Sequence, residues 1–341
     1  MAQTLVIGDI HGCLDELREL IDRAALCAGD QIIALGDVVD RGPHSAGVVR
    51  FLREHPQARS IRGNHEQKHI LSRRGRLQPS LSQNIARREM GEQAHAEACA
   101  WMSDLPLYIQ RPEALLLHGF FEPGVPLTEQ KPHVTMGTMS GERHLQRTLP
   151  EPWYRLYDHP TPIVVGHRDY RRDGQPFVYQ DRVFGLDTTV YSGGRLTGLL
   201  LPAFRFVQVQ SRTDHWARTR AQNADLRYAQ TPPDSLTWLK ARGILAAYRQ
   251  HPPRSEHHRR RQQHIAAMLH AAEEANTRLI AEITMIAHLP APERGYRAAR
   301  HPHRGLIERH LRGQPLNQQT LERHFKRPAN LLCGRSRYSS R

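Results

Sequence analysis

The sequence predicts an α/β fold with parallel strands and helical crossovers, followed by a mostly α-helical basic extension. Three observations carry that reading. A short apolar run, a glycine-bounded polar turn and a segment of helical period recur three times from Thr4 onward. From Leu105 the pattern changes to short β-branched runs separated by turn residues. Beyond about residue 212 both texture and charge change. Residues 1–212 hold 25 Lys+Arg against 24 Asp+Glu, whereas 213–341 hold 23 against 10 and half of the 22 histidines. The chain of 341 residues is long for one domain. We therefore expect a nearly neutral domain over 1–212 and a basic extension over 213–341.

Each element follows from its residues. Thr4 to Ile7 reads as a strand ending at Gly8-Asp9-Ile10-His11-Gly12. Leu14, Leu17, Leu20, Ile21 and Ala24 then recur at helical spacing. A second strand, 31–35, runs into Gly36-Asp37-Val38-Val39-Asp40-Arg41-Gly42. The helix after Pro43 places Val48, Val49 and Leu52 on one face and stops before Pro56. Strand 58–61 delivers Arg62-Gly63-Asn64-His65-Glu66. Residues 66–104 look helical, broken around Gly75 and Pro79. Leu115 to Leu117 delivers His118-Gly119, and Ile163 to Val165 delivers Gly166-His167-Arg168. Between them 120–160 is rich in Pro, Gly and Thr and is expected to be a long active-site loop. Strands at 177–179, 183–187, 196–201 and 204–210 complete the domain. In the extension, Pro232-Pro233-Asp234 is expected to start a helix capped by Asp234 or Ser235. Residues 256–288 read as one long helix stopped by Pro290 and Pro292, and short basic helices follow, among them 305–311 and 317–326.

The polar turns carry the chemistry. In extended backbone, residues two apart point the same way, so Asp9 and His11 project together as half of a metal site. Asp37 and Asp40 lie too close for both to stay charged without a counter-ion. Asp37 can bridge two ions, and Asn64, His118 and His167 offer one oxygen and two nitrogens for the second. Mixed N/O ligation without thiolate suits Mn, Fe or Zn. Two such ions make a clamp for in-line displacement at phosphorus. His65, beside Asn64, is then free to act as general acid, with Asp40 holding its other ring nitrogen. Arg41 and Arg62 are forks for phosphoryl oxygens, and Arg168 and Arg143 are weaker candidates.

The ordered set GDIHG, GDVVDRG, GNHE, HG and GH resembles the phosphoprotein-phosphatase branch of the calcineurin-like metallophosphoesterases over residues 1–212. That resemblance implies a β-sandwich flanked by helices and two divalent metal ions, usually manganese in bacterial members. Asp9, His11 and Asp37 would hold the first ion, and Asp37, Asn64, His118 and His167 the second. His65 with Asp40 would be the acid pair and Arg41 the phosphate clamp. Asp40 and Glu66 differ from the usual residues of symmetrical diadenosine tetraphosphatases. Arg62 before Gly-Asn-His-Glu is similar to small bacterial and phage serine/threonine protein phosphatases. Asp187-Thr188-Thr189 followed by Gly193-Gly194-Arg195-Leu196-Thr197 is similar to bacterial polynucleotide kinase–phosphatases and diadenosine tetraphosphatases. Departures at Phe120, Arg168 and Thr189 touch the pocket and remove no ligand.

The expectation is therefore a metal-dependent phosphohydrolase, first of all a serine/threonine-type protein phosphatase. The alternative is a nucleotide or RNA-end phosphoesterase, of diadenosine tetraphosphatase or 2′,3′-cyclic phosphodiesterase type, that docks nucleic acid on the basic extension. Arg259-Arg260-Arg261 with His257, His258 and His264 would present that extension to phosphate backbone or an acidic partner. A third class, a binding module on an inert scaffold, is disfavoured by the intact ligand set. Four scattered cysteines with no C-x-x-C pair argue against a disulfide framework or zinc ribbon, and Cys13 and Cys27 read as buried packing residues. No leader and no apolar run of membrane length is evident, so a cytoplasmic protein is expected.

Overall fold

A computed structural model describes residues 2–223, 226, 231–250, 252–253 and 256–333; of His257 only the backbone is described. The chain divides into two compact units, Met1–Gln222 and Asn223–Arg341.

The first unit opens with β1 (Thr4–Ile7), α1 (Leu14–Ala24), β2 (Gln31–Ala34), α2 (Ser45–Glu54) and β3 (Ala58–Ser60). It continues through α3 (Asn64–Arg73), α4 (Leu81–Met90) and α5 (Glu92–Asp104) to β4 (Tyr108–Gln110) and β5 (Leu115–Leu117). Next come α6 (Pro132–Thr135), α7 (Met139–Thr148), β6 (Ile163–Val165), β7 (Phe177–Tyr179) and β8 (Val183–Gly185). Strands β9 (Arg195–Leu201) and β10 (Arg205–Gln210) and helix α8 (His215–Gln222) close it.

Two five-stranded sheets form, in the orders β10-β9-β1-β2-β3 and β4-β5-β6-β8-β7. β1, β2 and β3 run parallel, as do β5, β6 and β8. Strand pleating sorts the core: Leu5 and Ile7 face the helices, while Val6 between them faces the second sheet. Val6, Ile33 and Ile61 meet Leu116, Val164 and Phe184 in one buried cluster between the sheets. A second cluster packs α1, α2 and α5 on the outer face of the first sheet. The result is a β-sandwich flanked by helices.

Two local expectations change. Residues 66–104 break once more, at Gly91, which has φ +76°. The stretch 120–160 is not all loop. Thr138 accepts the Gly141 N–H at 3.2 Å and caps α7, which buries Leu145; the Pro and Gly content around it masked this short amphipathic pattern.

The second unit contains α9 (Trp238–Gln250), α10 (Glu256–His288), α11 (Ala291–Arg300), α12 (Arg304–Leu311), α13 (Gln318–His324) and α14 (Pro328–Leu332). α10 has the expected ends. Pro233–Ser235 makes only a 3-10 turn, and α9 begins three residues later. Trp238 Nε1 donates to the Phe325 carbonyl at 2.7 Å inside a core of its own. The arginine run of α10 is already engaged. Arg259 and Arg260 pair with Glu256, and buried Arg261 donates to the Thr231 carbonyl at 2.5 Å. Among the described residues no helix is long and apolar enough to cross a membrane.

Candidate metal centre and active site

Every predicted ligand sits just beyond the C-terminal end of a strand in a parallel set: Asp9 and His11 after β1, Asp37 after β2, Asn64 after β3, His118 after β5 and His167 after β6. Open α/β sheets collect polar groups at those ends. To aim the side chains inward, His11, Asp37, Asp40, Arg41 and His167 all take positive φ, between +48° and +75°. Non-glycine residues adopt that region sparsely, and such strain gathers at functional sites. Glycine lets the turns close in: a Cβ at Gly63 would lie 2.4 Å from Asp37 Oδ1, and one at Gly42 2.1 Å from the His11 carbonyl oxygen. Glu66, at 0 % exposure, ties the turns together by accepting the N–H groups of Gly63 and Asp37, each at 2.8 Å, and of Val38 at 2.9 Å.

The six ligand candidates converge on Asp37. His11 Nε2 lies 3.7 Å from Asp37 Oδ2 and 3.8 Å from Asp9 Oδ2. His118 Nε2 lies 3.3 Å from Asp37 Oδ1. Each ring is oriented from behind: His11 Nδ1 donates to the Val39 carbonyl at 2.9 Å and His118 Nδ1 to that of Leu35 at 2.8 Å. Both Nε2 atoms therefore face the cluster, the orientation that metal-binding imidazoles adopt. Two groups of three, His11–Asp37–His65 and Asp37–His118–His167, bring their ligating atoms within 4.8 Å of one another.

The donor set itself tests the fit to a cation. Among the described residues, buried His11 Nε2 has no hydrogen-bond partner. Asn64 Oδ1 faces three acceptors, His167 Nδ1 at 3.0 Å, His118 Nε2 at 3.1 Å and Asp37 Oδ2 at 3.2 Å. Turned over, its amide nitrogen would donate to all three and its oxygen would accept from Lys68. With oxygen inward, a cation among the four atoms would reconcile them as well. Burial, then Asp187, hold the Asp9 carboxyl well above its ordinary range. Burial opposes charge on His118, yet Asp37, Asp9 and Glu66 outweigh it and lift the imidazole to about 10. These residues fit divalent cations.

His65 stands at the edge of this cluster. Its Nδ1 lies 2.5 Å from Asp40 Oδ2, and its Nε2 lies 3.2 Å from Arg41 Nη2. Asp40 is wholly buried, and Gln83 Nε2 (2.7 Å) and His69 Nε2 (2.9 Å) hold it as well. Burial raises the Asp40 carboxyl, but His69 and His65 overcome it and leave it well below the usual carboxylate range. His69 continues through its Nδ1 to His95 Nε2 at 3.0 Å, and burial with His69 pushes His95 down to about 4. The Arg41 guanidinium lies over the Tyr191 ring, 4.2 Å from its centroid. Sequence reading did not find Gln83, His69, His95 or Tyr191. They reach the site from other helices and loops, and no local spacing announces them.

The remaining arginines sit elsewhere. Arg62 donates to the carbonyls of Ser103 and, at 3.0 Å, Leu105, closing the C-terminal end of α5. Arg168 pairs with Glu142 at 2.6 Å, and Arg143 is exposed on α7.

Residues 2–192 match the family model of calcineurin-like phosphoesterases. The chain belongs to that family. It is 30% identical over 233 residues to the asymmetrical bis(5'-nucleosyl)-tetraphosphatase PrpE of Halalkalibacterium halodurans, covering 61% of this chain and 93% of that protein. The corresponding PrpE of Bacillus cereus is 27% identical over 234 residues, covering 60% and 93%. A crystal structure titled as a putative diadenosine tetraphosphatase superposes with a TM-score of 0.51 at 27% identity, covering 62% of this chain and 94% of that one. The protein is thus a metallophosphoesterase and a hydrolase.

Proposed function

We propose that this hydrolase cleaves bis(5'-nucleosyl) tetraphosphates asymmetrically, releasing a nucleoside monophosphate and a nucleoside triphosphate. The observation that carries the reading is the 30% identity to a PrpE enzyme over nearly all of that enzyme's length. The protein-phosphatase expectation rested on contrasts with symmetrical diadenosine tetraphosphatases and on Arg62 before Gly-Asn-His-Glu, whereas these relatives are named asymmetrical. Nucleotide hydrolysis, the alternative in the sequence reading, now leads.

Asp9, His11 and Asp37 would hold one divalent ion, and Asp37, Asn64, His118 and His167 a second, manganese being our assignment. Bound there, such ions neutralise phosphoryl oxygens and activate water near neutral pH. The chain's own groups do the rest. Asp40 holds the Nδ1–H of His65 and would stabilise its imidazolium, whose Nε2–H faces the substrate and passes its proton to the leaving phosphate oxygen. Arg41, steadied on Tyr191, grips non-bridging oxygens beside that proton. His69 and Gln83 keep Asp40 in register.

Incubating the full chain with Mn2+ and diadenosine tetraphosphate tests this. The reading expects equal amounts of AMP and ATP. Two ADP, or no product while p-nitrophenyl phosphate is turned over, would count against it. A phosphopeptide substrate serves the second reading, a serine/threonine protein phosphatase, which the buried Asp40–His65 pair favours.

A further inference from the structure

A pocket of about 430 Å3 opens beside His167, within the roughly 300–1,000 Å3 usual for small-molecule sites. Phe120 joins the two: it lines the pocket, and its ring meets the His167 imidazole edge to face with centroids 5.2 Å apart. Arg168, next in the chain, lines the same pocket. A ligand with phosphorus at His118 and His167 therefore finds a walled recess one residue away.

The walls differ in chemistry. α7 and the turn after it supply Leu145, Leu149 and Trp153 on one side. That side is fixed in place, because Trp153 Nε1 donates to the Tyr170 hydroxyl at 3.2 Å and Tyr170 stacks on Phe177 at 4.7 Å. At the rim, Arg168 and Glu142 form a partly exposed ion pair, and Asp169 and Glu151 add two further carboxylates. A rigid apolar and aromatic wall takes a flat heterocycle. Rim carboxylates accept sugar hydroxyls, and Arg168 lies on the way to His167 for a phosphate chain.

We propose that this pocket is the nucleoside subsite of the phosphoesterase, seating the base and ribose at one end of a dinucleoside polyphosphate. The inference rests on the nucleotide reading above, and the experiment separates the two. Gln146 is exposed on α7 at the pocket mouth. In the full chain with Mn2+, Gln146→Trp plants an indole in the recess on a helical surface that tolerates it. The KM for diadenosine tetraphosphate is expected to rise at least ~10-fold, about what 1.4 kcal/mol of lost binding gives. On the same preparation, kcat/KM for p-nitrophenyl phosphate, which has no nucleoside, is expected to stay within about twofold. Arg147→Trp, the same change at an exposed neighbour on α7 outside the pocket lining, is expected to change neither. If wild type hydrolyses the dinucleotide and Gln146→Trp leaves its KM unchanged, or if both substrates lose equally, the subsite is overturned and the nucleotide reading stands. If wild type turns over p-nitrophenyl phosphate but not the dinucleotide, both fall.

Discussion

Asp37 is the residue on which every turn of the site closes: its carboxylate faces His11, His65 and His118, and its backbone is held by Glu66. Asp37→Asn is therefore expected to abolish divalent-dependent p-nitrophenyl phosphate hydrolysis without changing the circular dichroism spectrum. His65→Ala should lower kcat by roughly 10²–10⁴-fold, the range of a lost general acid. Glu66→Ala leaves three buried N–H groups unpaired, at about 1–3 kcal/mol each. Urea unfolding should report a loss of about 3 kcal/mol or more; a loss under about 1 kcal/mol would contradict the clamp. His95 gives a pH signature. Its folded pKa is about 4 against an ordinary 6.5, so protons favour the unfolded chain. Its contribution to stability is full above pH 6.5 and is lost as pH falls towards 4. Between pH 7.5 and 5 the melting temperature of His95→Gln should fall less than that of wild type; an equal fall would refute the assignment.

At the scale of elements, the site is a set of strand ends, and that much was legible. Asp9, His11, Asp37, Asn64, His118 and His167 each come after a strand-like run and sit beside glycine, a local pattern that survives without tertiary knowledge. The positive φ of His11, Asp37 and His167 was not legible, because strain of that kind is imposed by contacts between turns far apart in sequence. Nor was the support behind Asp40, where His69 and Gln83 arrive from two different helices. Arg62 teaches the same lesson from the other side: its position next to Gly63 suggested a phosphate fork, while its guanidinium closes a helix end. Arg62→Met should cost about 1.5–3 kcal/mol of stability, the worth of a charged hydrogen bond. It should keep kcat/KM for p-nitrophenyl phosphate within a few-fold, in contrast to Arg41→Ala, which should lower it by an order of magnitude or more. Steady-state kinetics on both variants decide between the two arginines.

For the whole molecule, the division into units makes a prediction about length. Helix α8 belongs to the first unit, and His215 Nε2 on it lies 2.6 Å from the buried Glu16 carboxylate, which also accepts the Ser211 hydroxyl at 2.8 Å. Burial raises the Glu16 carboxyl, but those two bonds outweigh it and hold it below its usual value. A fragment ending at 222 should melt cooperatively and keep phosphatase turnover, whereas one ending at 212 strips Glu16 of its histidine and should melt lower. Equal melting temperatures would show that α8 adds nothing. The account as a whole stands on six side chains gathered in one largely buried cluster and proposed to hold divalent ions, and one diffraction experiment addresses that directly. Anomalous difference maps from crystals grown with Mn2+ should show two peaks roughly 3.5–4 Å apart, with the Asp37 carboxylate between them. A map with no peak near Asp37, or with manganese bound only elsewhere, would contradict it.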